Sequence, residues 1–573
     1  MFRRLVRPRH FLPRWNLLQV PGCTVCRMGI ATYKKPFFEN EPSPSYAKGS
    51  IERRGITKAL ERLKAELPIQ IPLMIGGQII SGSFSEKQLN PSQHRQPLAE
   101  WAPAKEAHVH QAINSALAAK SAWEDLPFED RAAVFLRAAD LVTGKYRYEI
   151  IAATMLGQGK NIHQAEIDAA AETADLFRFY VQCGMELLAQ QPTVNPPGVW
   201  NRLEYRPLEG FIYAISPFNF TALGGNLVAG PALMGNVVIW KPSLYALHAS
   251  WLLYNILLEA GLPKDVVQFV PGDAEEISRI LFDSPHFAGL NFTGSTQVFK
   301  SLLGNIGVAT AEDKYLSYPR VVGETGGKNF HVIHQSADIE NAVNNTIRGA
   351  FEYQGQKCSA TSRVYVAESI WPQVKEGIVQ KTKALKVGSP ENYENFVNAV
   401  IHEDAFNRLA DVIEKAKTDP ALTLLAGGKT SKEEGYYIYP TVYQTSDPQH
   451  ELMQRELFGP ICTIYVFPDD KWTETLKLID GTSKYALTGS VFGRDPLALR
   501  EAETALRHSA GNFYINTKST GAVVAQQPFG GSRGSGTNDK VGSVNVLLRF
   551  ASIRAIKEDF VGAREITYAS NEV

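Results

Sequence analysis

The stretch QGQKCSAT, Gln354 to Thr361, sets Cys358 between Lys357 and Ser359 and after Gly355. A nucleophilic thiol needs access, a lowered pKa or a nearby base, and donors to hold the oxyanion it generates. Small and polar neighbours suit a flexible, approachable loop. The other cysteines among the five offer less. Cys462, in PICTIYVF, reads as part of a buried strand and Cys183 as part of an apolar helix, so both are most simply core residues. Cys23 and Cys26 have CxxC spacing, but no second pair follows to complete a metal site, and no metal is expected. Two side chains could assist Cys358: Glu324 in VVGETGGKNF and Asn219 in SPFNFTA. Each follows a predicted parallel strand. The glycines around Glu324 leave room for a ligand. Taken alone, Glu324 fits a turn carboxylate in a salt bridge at least as well, and Asn219 fits a helix cap.

The elements that would position these residues alternate between 210 and 335. GFIYAIS, VVIWKPS, VVQFVPG, AGLNFTGS and YPRVVGET read as short apolar strands, with amphipathic helices between them. That rhythm implies a parallel, doubly wound sheet with helices on both faces, binding ligands beyond its carboxyl edge. A GxGxxG turn is absent. Gly294 and Ser295 end a strand and open a helix whose free N–H groups favour phosphate, although many such turns use Gly-Ser for geometry alone. Lys241 ends the strand VVIWK, where its donors could reach ribose or phosphate, or simply face solvent. From about Ser50 to Gln191 the pattern is mostly helical. NRLEYRPL and RFASIRAIKEDF read as additional strands.

Length and composition bound the rest. At 573 residues, two to four domains are the prior. Lys plus Arg (59) equals Asp plus Glu (59), so no global charge steers the chain to nucleic acid or to an anionic membrane. No apolar run reaches the ~18–20 residues of a membrane span. Few, scattered cysteines suit a reducing compartment. The first 35 residues carry eight Arg or Lys, and the first acid is Glu39. This composition fits a mitochondrial transit peptide, with a plain basic tail as the alternative.

SPFNFTA, WKPS, FTGS, GETGGKN, GQKCSA, ELFGP and PFGG stand in the order and approximate spacing of the aldehyde dehydrogenase superfamily. The chain resembles that superfamily from roughly Phe37 to its C-terminus. MLGQGK, AEIDAAAE, FRFY, EYRPLEGF, GNFYIN and STGAVVAQQPFGG look like its Δ1-pyrroline-5-carboxylate dehydrogenase branch. The resemblance implies an α/β fold in which a Rossmann-type NAD-binding domain (37–195 and 210–326) joins an α/β catalytic domain (327–525). A small β oligomerisation element (196–209 and 526–573) completes it, and residues 1–36 would be a transit peptide to the mitochondrial matrix.

The same resemblance implies a role for each site residue. Cys358 would be the nucleophile, Asn219 with the Cys358 N–H the oxyanion holder, and Glu324 the base that activates hydrolytic water. Ser216, Lys241, Gly294 and Ser295 would hold the adenosine and pyrophosphate of NAD, and Glu456 and Phe458 its nicotinamide ribose and ring. Gly521, Ala522 and Ser359 would take the substrate α-carboxylate, between Phe220 and Phe529. Glu166 would support the catalytic region from a neighbouring helix. Many superfamily members have glutamate where this chain has Leu244, and its absence leaves NADP less excluded, with NAD still expected. The implied reaction is NAD-dependent oxidation of glutamate γ-semialdehyde to glutamate, the second step of proline catabolism. The alternative is another semialdehyde dehydrogenase. A homodimer or an oligomer of dimers is implied, with a small-molecule substrate as the other partner.

Overall fold

The predicted alternation from 210 onward forms a sheet in the computed structural model, which describes residues 36–80 and 82–572. The basic segment read as a transit peptide lies outside the described residues, apart from Pro36. The sheet has seven strands in the order Arg320–Glu324, Phe287–Thr293, Phe211–Ile215, Val237–Lys241, Val267–Phe269, Leu73–Ile75, Gln78–Ile80. The first five are parallel, and the last two add antiparallel. Alternate residues of Phe211–Ile215 and Val237–Lys241 enter two separate apolar clusters, so both faces are covered, as a run of apolar parallel strands requires.

Register decides where chemistry can gather. Ile215 pairs with Lys241 and with Phe292, and Thr293 pairs with Glu324. The carboxyl ends of four strands therefore fall in one row. Strand order also reverses there: the chain runs from Phe211–Ile215 outward to Val267–Phe269, then returns to Phe287–Thr293 on the other side. Ligands of open α/β sheets bind at such a reversal.

A second seven-stranded sheet has the order Leu422–Ala426, Thr441–Thr445, Ile461–Phe467, Thr361–Ala367, Asn329–Ile333, Thr488–Phe492, Asn512–Ile515, with only the first strand antiparallel. Val199–Arg206 and Ser552–Asp559 pair as an antiparallel ribbon over eight residue pairs. Both were predicted as strands.

The region from Ser50 to Gln191 departs from the helical expectation. Helices of 12 to 19 residues are present, five among the described residues, but Ile69–Ile71, Leu73–Ile75, Gln78–Ile80, Glu86–Asn90 and Gln93–Trp101 are strands. Three of these have three residues each, too short for a period to register. Gln93–Trp101 is polar and contains Pro97, which sits beside a register shift against Leu89. Pairing partners distant in sequence, not local pattern, make these segments extended.

Candidate active site

GETGGKN joins the two sheets. Glu324 ends the edge strand of the first, and Asn329 begins a strand inside the second. The crossing is too tight for side chains. A Cβ on Gly326 would lie 2.0 Å from a Glu456 carboxylate oxygen, and one on Gly327 would lie 2.4 Å from the Cys358 carbonyl oxygen. Asn329 then fixes the start of the nucleophile strand: its Nδ2 donates to the carbonyls of Cys358 (2.7 Å) and Ala360 (2.8 Å). The sequence reading assigned Asn329 no role.

Cys358 does not lie on a flexible, open loop, as its neighbours suggested. Gln354, Gly355, Gln356 and Lys357 are buried, and Cys358 itself is partly exposed. Tyr353 (φ 52°), Gln354 (φ 56°) and Gly355 (φ 65°) are successively left-handed. A non-glycine residue held there costs on the order of 1–3 kcal/mol, so the surroundings must enforce it. They do: Gln354 Nε2 donates to the carbonyls of Gly159 (2.8 Å) and Ala399 (2.9 Å), and Gln356 Oε1 accepts from Ile401 N–H (2.9 Å). Small polar residues serve a tight, internally bonded turn as well as an open loop, and local sequence does not separate the two.

The predicted residues converge around this turn. Cys358, Ser359, Phe220, Phe529, Gly521 and Ala522 all line one cavity. Gly521 has φ 94°, a conformation natural to glycine, and neither its N–H nor that of Ala522 enters a hydrogen bond among the described residues. The Ser359 hydroxyl bonds Thr520 Oγ1 at 2.7 Å. Asn219 is buried, and its Nδ2 donates to the carbonyl of Gln356 at 3.1 Å, two residues before the thiol. Burial, then the carboxylates of Glu324 and Glu456, push the Cys358 thiol up to about 12, while the N–H groups of Ser359 and Cys358 itself pull the other way. Glu324 is buried too, which holds its carboxyl well above the usual range. Its Oε2 accepts only a long bond from Gly531 N–H (3.4 Å), and its Oε1 has no partner among the described residues. A buried, underbonded carboxyl of raised pKa near a thiol is the profile of an acid–base group.

On the nucleotide side, Lys241 is a buried residue whose Nζ makes no hydrogen bond among the described residues, and desolvation pushes it down to about 8. A buried ammonium without an acceptor fits a polyanionic ligand. Ser216 Oγ accepts from Trp240 Nε1 at 2.9 Å, and its N–H donates to the Lys241 carbonyl at 3.3 Å. Gly294 N–H donates to the Glu324 carbonyl (3.1 Å), and Ser295 caps the Thr296–Ala311 helix by accepting from Val298 N–H at 3.2 Å. A groove between that helix and Ala274–Asp283 is lined by Ile215, Ser278, Val298 and Leu302, apolar enough for a flat base. Glu456 accepts from Gly327 N–H at 2.9 Å and is pushed up to about 7 by burial. Phe458 (φ 54°) packs edge-on against Phe218.

A model of the aldehyde dehydrogenase family matches residues 81–556. The chain belongs to the aldehyde dehydrogenase family. Among named family members, it is 57% identical over 545 residues to the mitochondrial delta-1-pyrroline-5-carboxylate dehydrogenase of Emericella nidulans, covering 95% of each chain. It is 48% identical to the human mitochondrial protein of that name, covering 92% of this chain and 94% of the other. The crystal structure of the delta-pyrroline-5-carboxylate dehydrogenase from Mycobacterium tuberculosis bound with NAD superposes with a TM-score of 0.91 at 46% identity, covering 95% of this chain and all of that one.

Within this aldehyde dehydrogenase fold, the Glu166 carboxylate, expected to support the catalytic region from a neighbouring helix, pairs with Arg147 and Tyr46. The π-helical turn Glu166–Glu172 that contains it instead offers Asp168 to the Asn219 turn and Glu172 to the cavity. Neither was found from sequence, although single π turns often mark functional positions. Glu172 is pushed up to about 8, chiefly by burial.

Proposed function

We infer that this protein oxidises L-glutamate γ-semialdehyde, the open form of 1-pyrroline-5-carboxylate, to L-glutamate with NAD, the second step of proline catabolism, in the mitochondrial matrix. The observation that carries the reading is the single cavity in which a thiol meets two unengaged backbone N–H groups, at Gly521 and Ala522, and a carboxyl, Glu172. An α-carboxylate suits the first pair, helped by Ser359, and an α-ammonium suits the second; Phe220 and Phe529 wall the carbon chain. Lys241, Ser216, Gly294 and Ser295 would hold adenosine and pyrophosphate, and Glu456 and Phe458 the nicotinamide end. Leu244 places no carboxylate against a 2′-phosphate.

Cys358 gives up its thiol proton to solvent as Sγ bonds to the aldehyde carbon, and the new oxyanion takes hydrogen bonds from the second Asn219 amide proton and the Cys358 N–H. Bound NAD supplies the hydride acceptor, which leaves the carbon as a Cys358 thioester. Glu324 then takes a proton from water, whose oxygen attacks the thioester carbonyl and releases carboxylate product and thiol. The sheets meeting at 324–329 support a division into a nucleotide-binding part (37–195 and 210–326) and a catalytic part (327–525). Residues 196–209 and 526–573 are proposed to carry oligomerisation. The ribbon leaves Trp200 (50%) and Ile553 (46%) exposed, as is Phe560 (65%) just beyond its end, and two-stranded ribbons are marginal alone, which favours a second copy of the chain as cover. Light scattering should return at least a dimer mass. The N-terminal basic segment is proposed as the transit peptide, in line with the mitochondrial relatives.

The test is a panel of aldehydes of similar length with and without an α-amino group. Glutamate γ-semialdehyde should exceed succinate semialdehyde in kcat/KM by about 100-fold or more, since a site built for polar groups discriminates strongly when they are missing. Equal values would reject this substrate and favour another semialdehyde.

A further inference from the structure

Lys160 and Asp168 are both completely buried, and they join the two parts of the machinery that must stay in register. Lys160 Nζ donates to Asp168 Oδ2 at 2.7 Å. The same Oδ2 accepts from Thr221 N–H at 3.0 Å, and Oδ1 accepts from Ala222 N–H at 2.8 Å. Asp168 thus caps, from another element, the Thr221–Leu233 helix that opens directly after Asn219 and Phe220. An anion at a helix N-terminus, with charge-assisted bonds to two N–H groups, fixes the entering chain firmly. The Lys160 ammonium lies 3.9 Å from the Phe220 ring centroid and 4.5 Å from that of Tyr353, the first left-handed residue before Cys358. Its neighbour Gly159 accepts from Gln354, and Asn219 bonds the Gln356 carbonyl. One ion pair therefore touches the oxyanion turn on one side and the nucleophile turn on the other.

Stability is a poor reason for such a pair. Burying two charges costs several kcal/mol each, and apolar replacements of similar volume are often neutral or stabilising. We propose that Lys160 and Asp168 are positioning residues that hold the Asn219 amide in aim at the oxyanion formed on the Cys358 adduct. This rests on the proposed roles of Asn219 and Cys358.

A double-mutant cycle separates that role from general support. Asp168→Asn should lower kcat and kcat/KM together by about 10- to 100-fold, as a displaced transition-state donor does, with KM and the Kd for NAD held within about threefold. In an Asn219→Ala background, the same substitution should change kcat by less than about threefold, because the donor it aims is gone. Losses that multiply in the double variant, or an unchanged kcat in Asp168→Asn, would overturn the proposal. Full kcat in Asn219→Ala alone would overturn the oxyanion assignment itself. Should Asp168→Asn fail to fold, the double replacement Lys160→Met with Asp168→Leu removes both charges. It should fold with a lowered thermal midpoint, because the Thr221 and Ala222 N–H groups lose their acceptor, and lose the same kcat with KM unchanged; retained kcat would overturn the pair's role.

Discussion

At the carboxyl edge of the first sheet, Lys241, Ser216, Gly294 and Ser295 are placed by regular structure. Each sits at a strand end or helix start whose register follows from the neighbouring strands. Cys358 is placed in another way. Its turn runs through three left-handed residues and is tied to Gly159, Ala399 and Ile401, positions far away in sequence. The nucleotide edge needs only the fold. The nucleophile turn needs particular side chains from several elements, because a covalent step tolerates far less displacement than the cradling of a phosphate. Substitutions at the two places should therefore fail differently.

The largest expected effect is Cys358→Ala. Oxidation followed by NADH absorbance should fall by at least about 10⁴-fold, while calorimetric NAD binding stays within twofold, since the thiol belongs to the turn and not to the edge. Substantial oxidation by this variant would remove the nucleophile from the argument. Glu324→Gln comes next, with steady-state kcat reduced by about 10²- to 10⁴-fold and one equivalent of NADH released in a burst, because thioester hydrolysis has lost its base. The wild-type pH profile carries a matching sign. Burial raises the Glu324 pKa, so the ionised base is lost as pH falls through that raised value, and kcat should rise toward alkaline pH. The Gln variant should lack that limb.

The same contrast explains what the sequence discloses. Strand-end residues such as Lys241 and Glu324 are legible because an apolar run announces where a parallel strand stops, through a following helix at Lys241 and a glycine-rich link at Glu324. The ribbon strands are legible for a similar reason. The resemblance singled out Asn219, Phe220 and Gly521 through their motifs; Phe220 and Gly521 line the cavity, and Asn219 bonds the turn at Gln356. Asn329, Lys160 and Asp168 stay hidden: their partners lie at 358, 360, 220 and 221, and nothing in KN, GK or ID signals those distances. The strained conformation of Tyr353 and Gln354 is invisible too, since neither residue type favours a left-handed backbone. Glu166 was expected to support the catalytic region from a neighbouring helix; its carboxylate pairs with Arg147, and the same π turn brings Asp168 to the Asn219 turn.

Two smaller effects set the turn directly against the edge. Gly355→Ala puts a Cβ 2.4 Å from the Gly459 carbonyl oxygen at φ 65°, so the backbone must shift. It should cost about 2 kcal/mol or more of stability and lower kcat together with the rate of Cys358 alkylation by iodoacetamide. Ser295→Ala removes a helix cap worth about 1 kcal/mol and one hydroxyl from the proposed phosphate site. Its Kd for NAD should rise by about three- to tenfold, with kcat at saturating NAD and the alkylation rate of Cys358 unchanged. The two variants both lose stability, Gly355→Ala the more, and differ in what they disturb. If Ser295→Ala slowed alkylation as Gly355→Ala does, edge and turn would be one mechanical unit, and regular structure alone would not account for how the nucleotide side is built.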